Sequence, residues 1–172
     1  KIAARHSDLA RLQAYLVGNS LKAKHKNLEV EYAFRESLGD KNLSDPLWKM
    51  PEKGVFTEDF VEDLLAGRCD LVVHSWKDLP VEARRGSHIE VTLPRADMRD
   101  LFLFRKERWA RVKAVGCLKI LSSSPRRAFN LDGFFKDYFP CKLNTESFET
   151  VRANVGTRVR KLLEGEADGL IV

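Results

Sequence analysis

The sequence predicts an α/β fold with mainly parallel sheets, arranged as two successive lobes, and three observations lead there. Short apolar runs of strand length alternate with longer segments whose apolar residues recur at helical spacing, the pattern of strand–helix–strand units. The alternation halts at residues 94–99, a polar, turn-like stretch expected to act as a hinge, and then starts again. Finally, 44% hydrophobic and 32% charged residues over 172 positions describe an ordinary globule. A chain of this size buries roughly 70% of its unfolded surface without a disulfide or metal staple. The expected lobes are residues 1–94 and 95–172.

In the first lobe, residues 1–4 read as a strand and Ser7 as the N-cap of a helix. Leu9, Leu12, Gln13, Leu16 and Val17 follow at helical spacing, with Gly18 as the expected stop. Residues 28–34 (LEVEYAF) alternate apolar and polar, as a strand does. Residues 39–54 carry turn formers and few periodic apolars, so a long, mobile loop is expected. A helix over 56–65 has Thr57 as its N-cap and Gly67 as its stop, and 70–75 (DLVVHS) is a compact strand of the parallel-sheet kind. A basic turn after Pro80 ends at Gly86 and leads to a strand over 89–93. The second lobe reads as strands over 101–104 and 119–121, a helix over 126–135, and a short strand over 142–144. A helix over 154–163 stopped by Gly165 and a strand over 168–172 complete it.

Thirty Lys and Arg against 25 Asp and Glu leave a net charge of +5, which suits any polyanionic partner and does not choose among nucleic acid, membrane surface and polycarboxylate. Cys69, Cys117 and Cys141 form neither a zinc pattern nor a disulfide framework. The four histidines lack the spacing that puts two imidazoles on one helix face. Phosphate-cradling glycine loops and nucleophile elbows are absent. No run reaches the roughly 20 apolar residues of a membrane span, and the opening residues do not resemble a signal peptide. A cytoplasmic protein that binds no membrane is expected.

A positive pattern does recur. Arg5-His6-Ser7, Ser122-Ser123-Ser124-Pro125-Arg126-Arg127 and Arg152-Ala153-Asn154-Val155-Gly156-Thr157-Arg158 each put Ser or Thr beside Arg where an extended segment enters a helix. Helix starts offer unpaired N–H groups, and Arg adds a planar fork matched to carboxylates. Each motif alone reads as capping, with Ser7 and Thr157 as caps and Pro125 in a first turn. Three together favour anion binding. A second constellation, residues 70–80, ends a strand in His74-Ser75-Trp76-Lys77-Asp78. Asp78 suits protonation of a leaving group or stabilisation of a developing cation, and Lys77 suits acidic substituents. An ordinary surface ion pair explains the same residues equally well.

These segments, with Arg5-His6-Ser7-Asp8-Leu9-Ala10-Arg11-Leu12-Gln13, Gly39-Asp40-Lys41, Val72-Val73-His74-Ser75-Trp76-Lys77-Asp78-Leu79-Pro80 and Asn154-Val155-Gly156-Thr157-Arg158, resemble the porphobilinogen deaminase (hydroxymethylbilane synthase) family along essentially the whole chain. The resemblance implies two lobes like those of type II periplasmic binding proteins, both incomplete here, with the active site between them. It implies that four porphobilinogen molecules are condensed head to tail, with release of ammonia, into linear hydroxymethylbilane for haem and other tetrapyrroles. Asp78 matches the catalytic carboxylate. Arg5, Ser7, Lys49, Lys53, Ser75, Lys77, Ser124, Arg126, Arg127, Arg152 and Arg158 match positions that hold the acetate and propionate groups of primer and substrate. Lys49 and Lys53 lie in a segment resembling the family's lid.

The implied cofactor is dipyrromethane, attached to a cysteine of a third, α+β domain. That domain is not represented in these residues, and none of the three cysteines has the Gly-Gly-Cys context of the attachment site. The chain is therefore expected to be part of a longer, monomeric enzyme, inactive as a fragment. It departs from the family pattern at Ala4, Ser44, Leu121, Pro125 and Ala153, the last standing where Gly is usual. The alternative reading is a non-catalytic anion-binding clamshell of the same fold. Residues 104–113, basic with one Trp, prompt a nucleic-acid reading, but no recognition motif accompanies them, and no nucleic-acid partner is expected.

Overall fold

The computed structural model of the chain describes residues 1–37, 40, 57–80 and 85–172. The expected lid, with Lys49, Lys53 and Ser44, lies outside the described residues. The chain divides into two compact units, Lys1–Arg95 and Ala96–Val172, each a mixed α/β layer.

The first unit is built on a parallel sheet of three strands, β1 (Ile2–Arg5), β2 (Tyr32–Arg35) and β3 (Leu71–Val73), in the order β2-β1-β3. Ile2 stands opposite Tyr32 on one side and Leu71 on the other. Helix α1 (Asp8–Lys24) begins at Ser7, whose hydroxyl accepts the Ala10 N–H at 3.4 Å. It does not stop at Gly18. A Cβ at that position would lie 2.0 Å from the Tyr32 hydroxyl, so the glycine lets strand and helix approach closely. The buried stripe also differs from the expected one. Ala14 and Gly18 are buried, and Val17 and Leu21 pack on Ile2 and Ala4. Leu9, Leu12 and Leu16 are exposed, Leu12 to 60%. The small residues face the sheet because the helix sits close to it, which leaves no room for leucines on that side.

Helix α2 (Glu58–Leu65) starts at Thr57, as expected, and buries Phe60 fully beside Ala3 and Cys69, worth about 1.5–3 kcal/mol. Gly67, at φ +69, follows it. A 3-10 turn at Trp76–Asp78 follows β3. The expected strand over 89–93 is not formed. Ile89 and Val91 are exposed, and no ladder joins them to other described residues. Alternation alone makes no strand without a partner for its N–H and C=O groups.

The second unit carries β4 (Phe102–Phe104), β5 (Cys117–Ser122), β6 (Thr145–Thr150) and β7 (Gly169–Ile171) in the order β4-β7-β5-β6. β5 pairs with β6 and β7 in parallel, and β4 runs antiparallel to β7. Helix α3 (Trp109–Val115) was not foreseen, and Gly116 ends it at φ +71. The expected helix over 126–135 is two helices, α4 (Pro125–Asn130) and α5 (Phe134–Tyr138), separated at Gly133 with φ +81. The expected strand at 142–144 instead begins at Thr145. Helix α6 (Val155–Glu164) is capped by Asn154, which accepts the Thr157 N–H at 3.0 Å, so Asn154 rather than Thr157 is the cap. One face of the sheet buries Val112, Leu118, Ile120, Phe135 and Ile171, and the other Leu121, Val151, Leu162 and Leu170.

In the basic segment 104–113, Arg108 and Arg111 are turned to folding. Arg108 donates to the Gly165 carbonyl at 3.1 Å, and Arg111 to the buried Asp168 carboxylate at 2.9 Å. Asp168 also accepts the Lys119 N–H at 2.9 Å. Asp168→Ala leaves that strand amide without its acceptor and should cost about 2–3 kcal/mol. A clear drop in the urea unfolding midpoint is the expected result, and an unchanged midpoint contradicts this role.

Candidate functional site

In each unit the described candidate residues lie near places where strands end and helices begin. Such carboxyl-end crevices are where open parallel sheets take ligands.

In the first unit, Arg5 closes β1, and Asp78 lies on the 3-10 turn that follows the neighbouring strand β3. The parallel pairing of these strands brings their carboxyl ends side by side. Arg5 Nη1 stands 3.4 Å from Asp78 Oδ2. The opposite edge of the same guanidinium is taken by Asp40, with Nε donating to Oδ2 at 3.0 Å and Nη2 donating to Oδ1. Asp40 in turn accepts the backbone N–H and the hydroxyl of Ser37, at 3.0 and 2.8 Å, while its own N–H donates to Ser37 Oγ at 3.3 Å. This is the reciprocal pattern of a capping box. Ser75 donates to Gln13 Oε1 on α1 at 3.0 Å. Lys77 is exposed, and Ser7 spends its oxygen on the helix cap.

The two carboxylates titrate differently. Burial would raise Asp40, but the hydrogen bonds from Arg5 and Ser37 outweigh it and bring Asp40 from 3.8 down to about 2. For Asp78, burial raises the pKa and the Asp40 charge adds to the rise. Lys77 and Arg5 oppose it without cancelling it. His74, half-buried and edge-on to Phe60, is depressed from 6.5 to about 4 by burial and by Arg5, so it is neutral at ordinary pH. Asp78 is thus a half-buried carboxylate beside a cation, with its proton affinity raised.

In the second unit, Ser124 caps α4 by accepting the Arg127 N–H at 3.3 Å, and Arg127 Nε donates to Asp100 at 2.8 Å. Arg158, on α6, donates through Nη1 to Ser123 Oγ at 2.7 Å. Burial and the neighbouring Arg127 charge lower its pKa. Arg158 Nε and Arg152 Nη1 are buried without a hydrogen-bond acceptor among the described residues. Buried donors of this kind call for a missing partner, and a carboxylate suits a guanidinium best. Arg126 is exposed. Between Arg152 and Asn154, Ala153 holds φ 157, in a region that favours glycine, at a cost of about 1–3 kcal/mol.

Asp40, Ser37 and Gln13 were not among the predicted site residues. The Ser37-x-x-Asp40 spacing was legible as a capping box, but its reach to Arg5 depends on the pairing of β1 with β2. The described residues hold no cluster of three or more metal-ligating side chains, and no helix among them is long and apolar enough to cross a membrane.

The sequence comparisons agree with one another. A family model described as "Porphobilinogen deaminase, dipyromethane cofactor binding domain" matches residues 1–172. A curated porphobilinogen deaminase of Helicobacter acinonychis (strain Sheeba) is 38% identical over 171 residues, covering 99% of this chain and 53% of that protein. The chain spans about half the length of that relative.

Proposed function

The chain belongs to the porphobilinogen deaminase family, and from that premise we propose that it forms the substrate-handling part of a hydroxymethylbilane synthase. In this reading the full-length protein joins four porphobilinogen molecules head to tail, losing ammonia at each junction, and yields linear hydroxymethylbilane for tetrapyrrole synthesis. Each unit is read as one lobe of the type II periplasmic-binding-protein kind. The protein acts as a cytoplasmic monomer, without a membrane or nucleic-acid partner.

The matched domain is the family's dipyrromethane-binding domain, and the residues present fit such a group. Its acetates and propionates would supply the acceptors that Arg152 Nη1 and Arg158 Nε lack, and Arg126, Arg127 and Ser124 are assigned to the same carboxylates. When bound, dipyrromethane supplies the pyrrole end to which the first substrate is joined. Cys69, Cys117 and Cys141 are unpaired, and none is assigned as its attachment point. In the first unit, Arg5, Ser7, Ser75 and Lys77 are assigned to substrate carboxylates, as are Lys49 and Lys53.

The observation that carries the reading is Asp78, half-buried and held at a single long contact by Arg5. As the aminomethyl C–N bond breaks, its electron pair leaves with nitrogen and the substrate pyrrole becomes cationic. A carboxylate accepting the pyrrole N–H lowers the energy of that charge, and does so more strongly where water is partly excluded. Turnover depends on the ionised form. Because the Asp78 pKa is raised above 3.8, activity should fall with decreasing pH sooner than an ordinary carboxylate would allow.

The direct test is porphobilinogen consumption by the full-length protein, with the bound pyrrole chromophore revealed by Ehrlich's reagent. Consumption and colour are expected. A protein that binds pyrrole carboxylates but consumes no porphobilinogen would instead be the anion-binding clamshell, which the unsatisfied donors Arg152 Nη1 and Arg158 Nε also suit.

A further inference from the structure

The two carboxylates that share Arg5 are held in opposite ways. Asp40 takes the Nε–Nη2 edge with two hydrogen bonds and is fixed from behind by Ser37. Asp78 has only Nη1, at 3.4 Å. We propose that Asp40 is a positioning residue for the reaction: by occupying one edge of the Arg5 guanidinium it prevents Arg5 from closing on Asp78, and so leaves the Asp78 carboxylate free to engage substrate. The inference rests on the role given to Asp78 above.

The charge arithmetic supports it. Among the described residues, the groups facing Asp78 are Arg5 from β1, Lys77 from its own turn, and Asp40, with His74 at the end of β3 kept neutral. Without the Asp40 charge, the described charges facing Asp78 would be the two cations Arg5 and Lys77. Arg5, relieved of its stronger partner, could then pair with Asp78 through two bonds, the arrangement Arg and carboxylate prefer. Asp78 would be held more tightly and ionised at lower pH, and catalysis would first have to break that pair. A role confined to the capping box with Ser37 predicts none of this.

The test uses Asp40→Asn in the full-length protein. Asparagine keeps an acceptor for the Ser37 N–H but cannot hold a guanidinium as a carboxylate does. The Asp78 titration, followed by carboxyl-carbon NMR, is expected to move down by about one pH unit. The acidic limb of kcat/KM should move in the same direction, and kcat at neutral pH should fall roughly tenfold with KM little changed. Asp40→Glu, which keeps the charge, should restore the limb at least in part. If Asp40→Asn does not fold, Ser37→Ala loosens the same clamp and should move the midpoint the same way, by less. An Asp78 midpoint that stays in place overturns the proposal, even if activity falls. The NMR titration needs no turnover. A wild-type protein that consumes no porphobilinogen therefore defeats the assigned function, while the titration still decides the role of Asp40.

Discussion

Asp78→Asn is expected to lower porphobilinogen turnover by about 10²–10⁴-fold in the full-length protein, the range for removing one group that acts in a transition state. The fold should survive. Asparagine matches aspartate in size, and Arg5 keeps its two bonds to Asp40. The substitution also removes a charge that burial disfavours, so the melting temperature should not fall. The loss should appear in kcat, because Asp78 is assigned to charge that develops during the reaction rather than to ground-state binding. Asp78→Glu keeps the charge but displaces it by one methylene, so it should retain a small part of the rate. Near-normal consumption by Asp78→Asn would remove Asp78 from the chemistry.

Arg158→Ala should separate affinity from stability. Its guanidinium is half-buried, close enough to Arg127 to be destabilised by it, and has one donor without an acceptor. Such a group costs free energy until a ligand satisfies it. Removing it should weaken binding of the pyrrole carboxylates by about 1.5–3 kcal/mol, a 10- to 150-fold loss in kcat/KM. The ligand-free protein should melt at the same temperature or higher, the trade expected where a site is built at the expense of stability. Lysine cannot reproduce the fork, so Arg158→Lys should recover little. A large loss of stability with kcat/KM within twofold of wild type would make Arg158 a structural residue.

The local structure around the candidate residues was more legible than the way they are tied down. Ser7, Ser124 and the segment around Asn154 read as helix starts because capping is local: a short polar side chain reaches an amide three residues on. β3 and β5 read as strands because short apolar runs bounded by polar residues have few alternatives. Non-local relations were not legible. Gly18 reads as a helix stop, yet its absent side chain answers to Tyr32 on another element. Leu9, Leu12 and Leu16 have helical spacing but lie on the exposed face, since spacing does not say which face meets the sheet. Residues 89–93 alternate like a strand without a partner among the described residues. Arg108 and Arg111 read as part of a surface charge run until Gly165 and Asp168, more than fifty residues away, give them acceptors. Asp40 belongs with these, since only the pairing of β1 with β2 brings its box to Arg5.

The most direct measurement is a crystal structure of the full-length protein with its pyrrole group in place. The Asp78 carboxylate is expected within hydrogen-bond distance of a pyrrole N–H, and Arg152 and Arg158 on acetate or propionate oxygens. Pyrrole carboxylates held by other residues, with Asp78 turned away from every ring nitrogen, would contradict it.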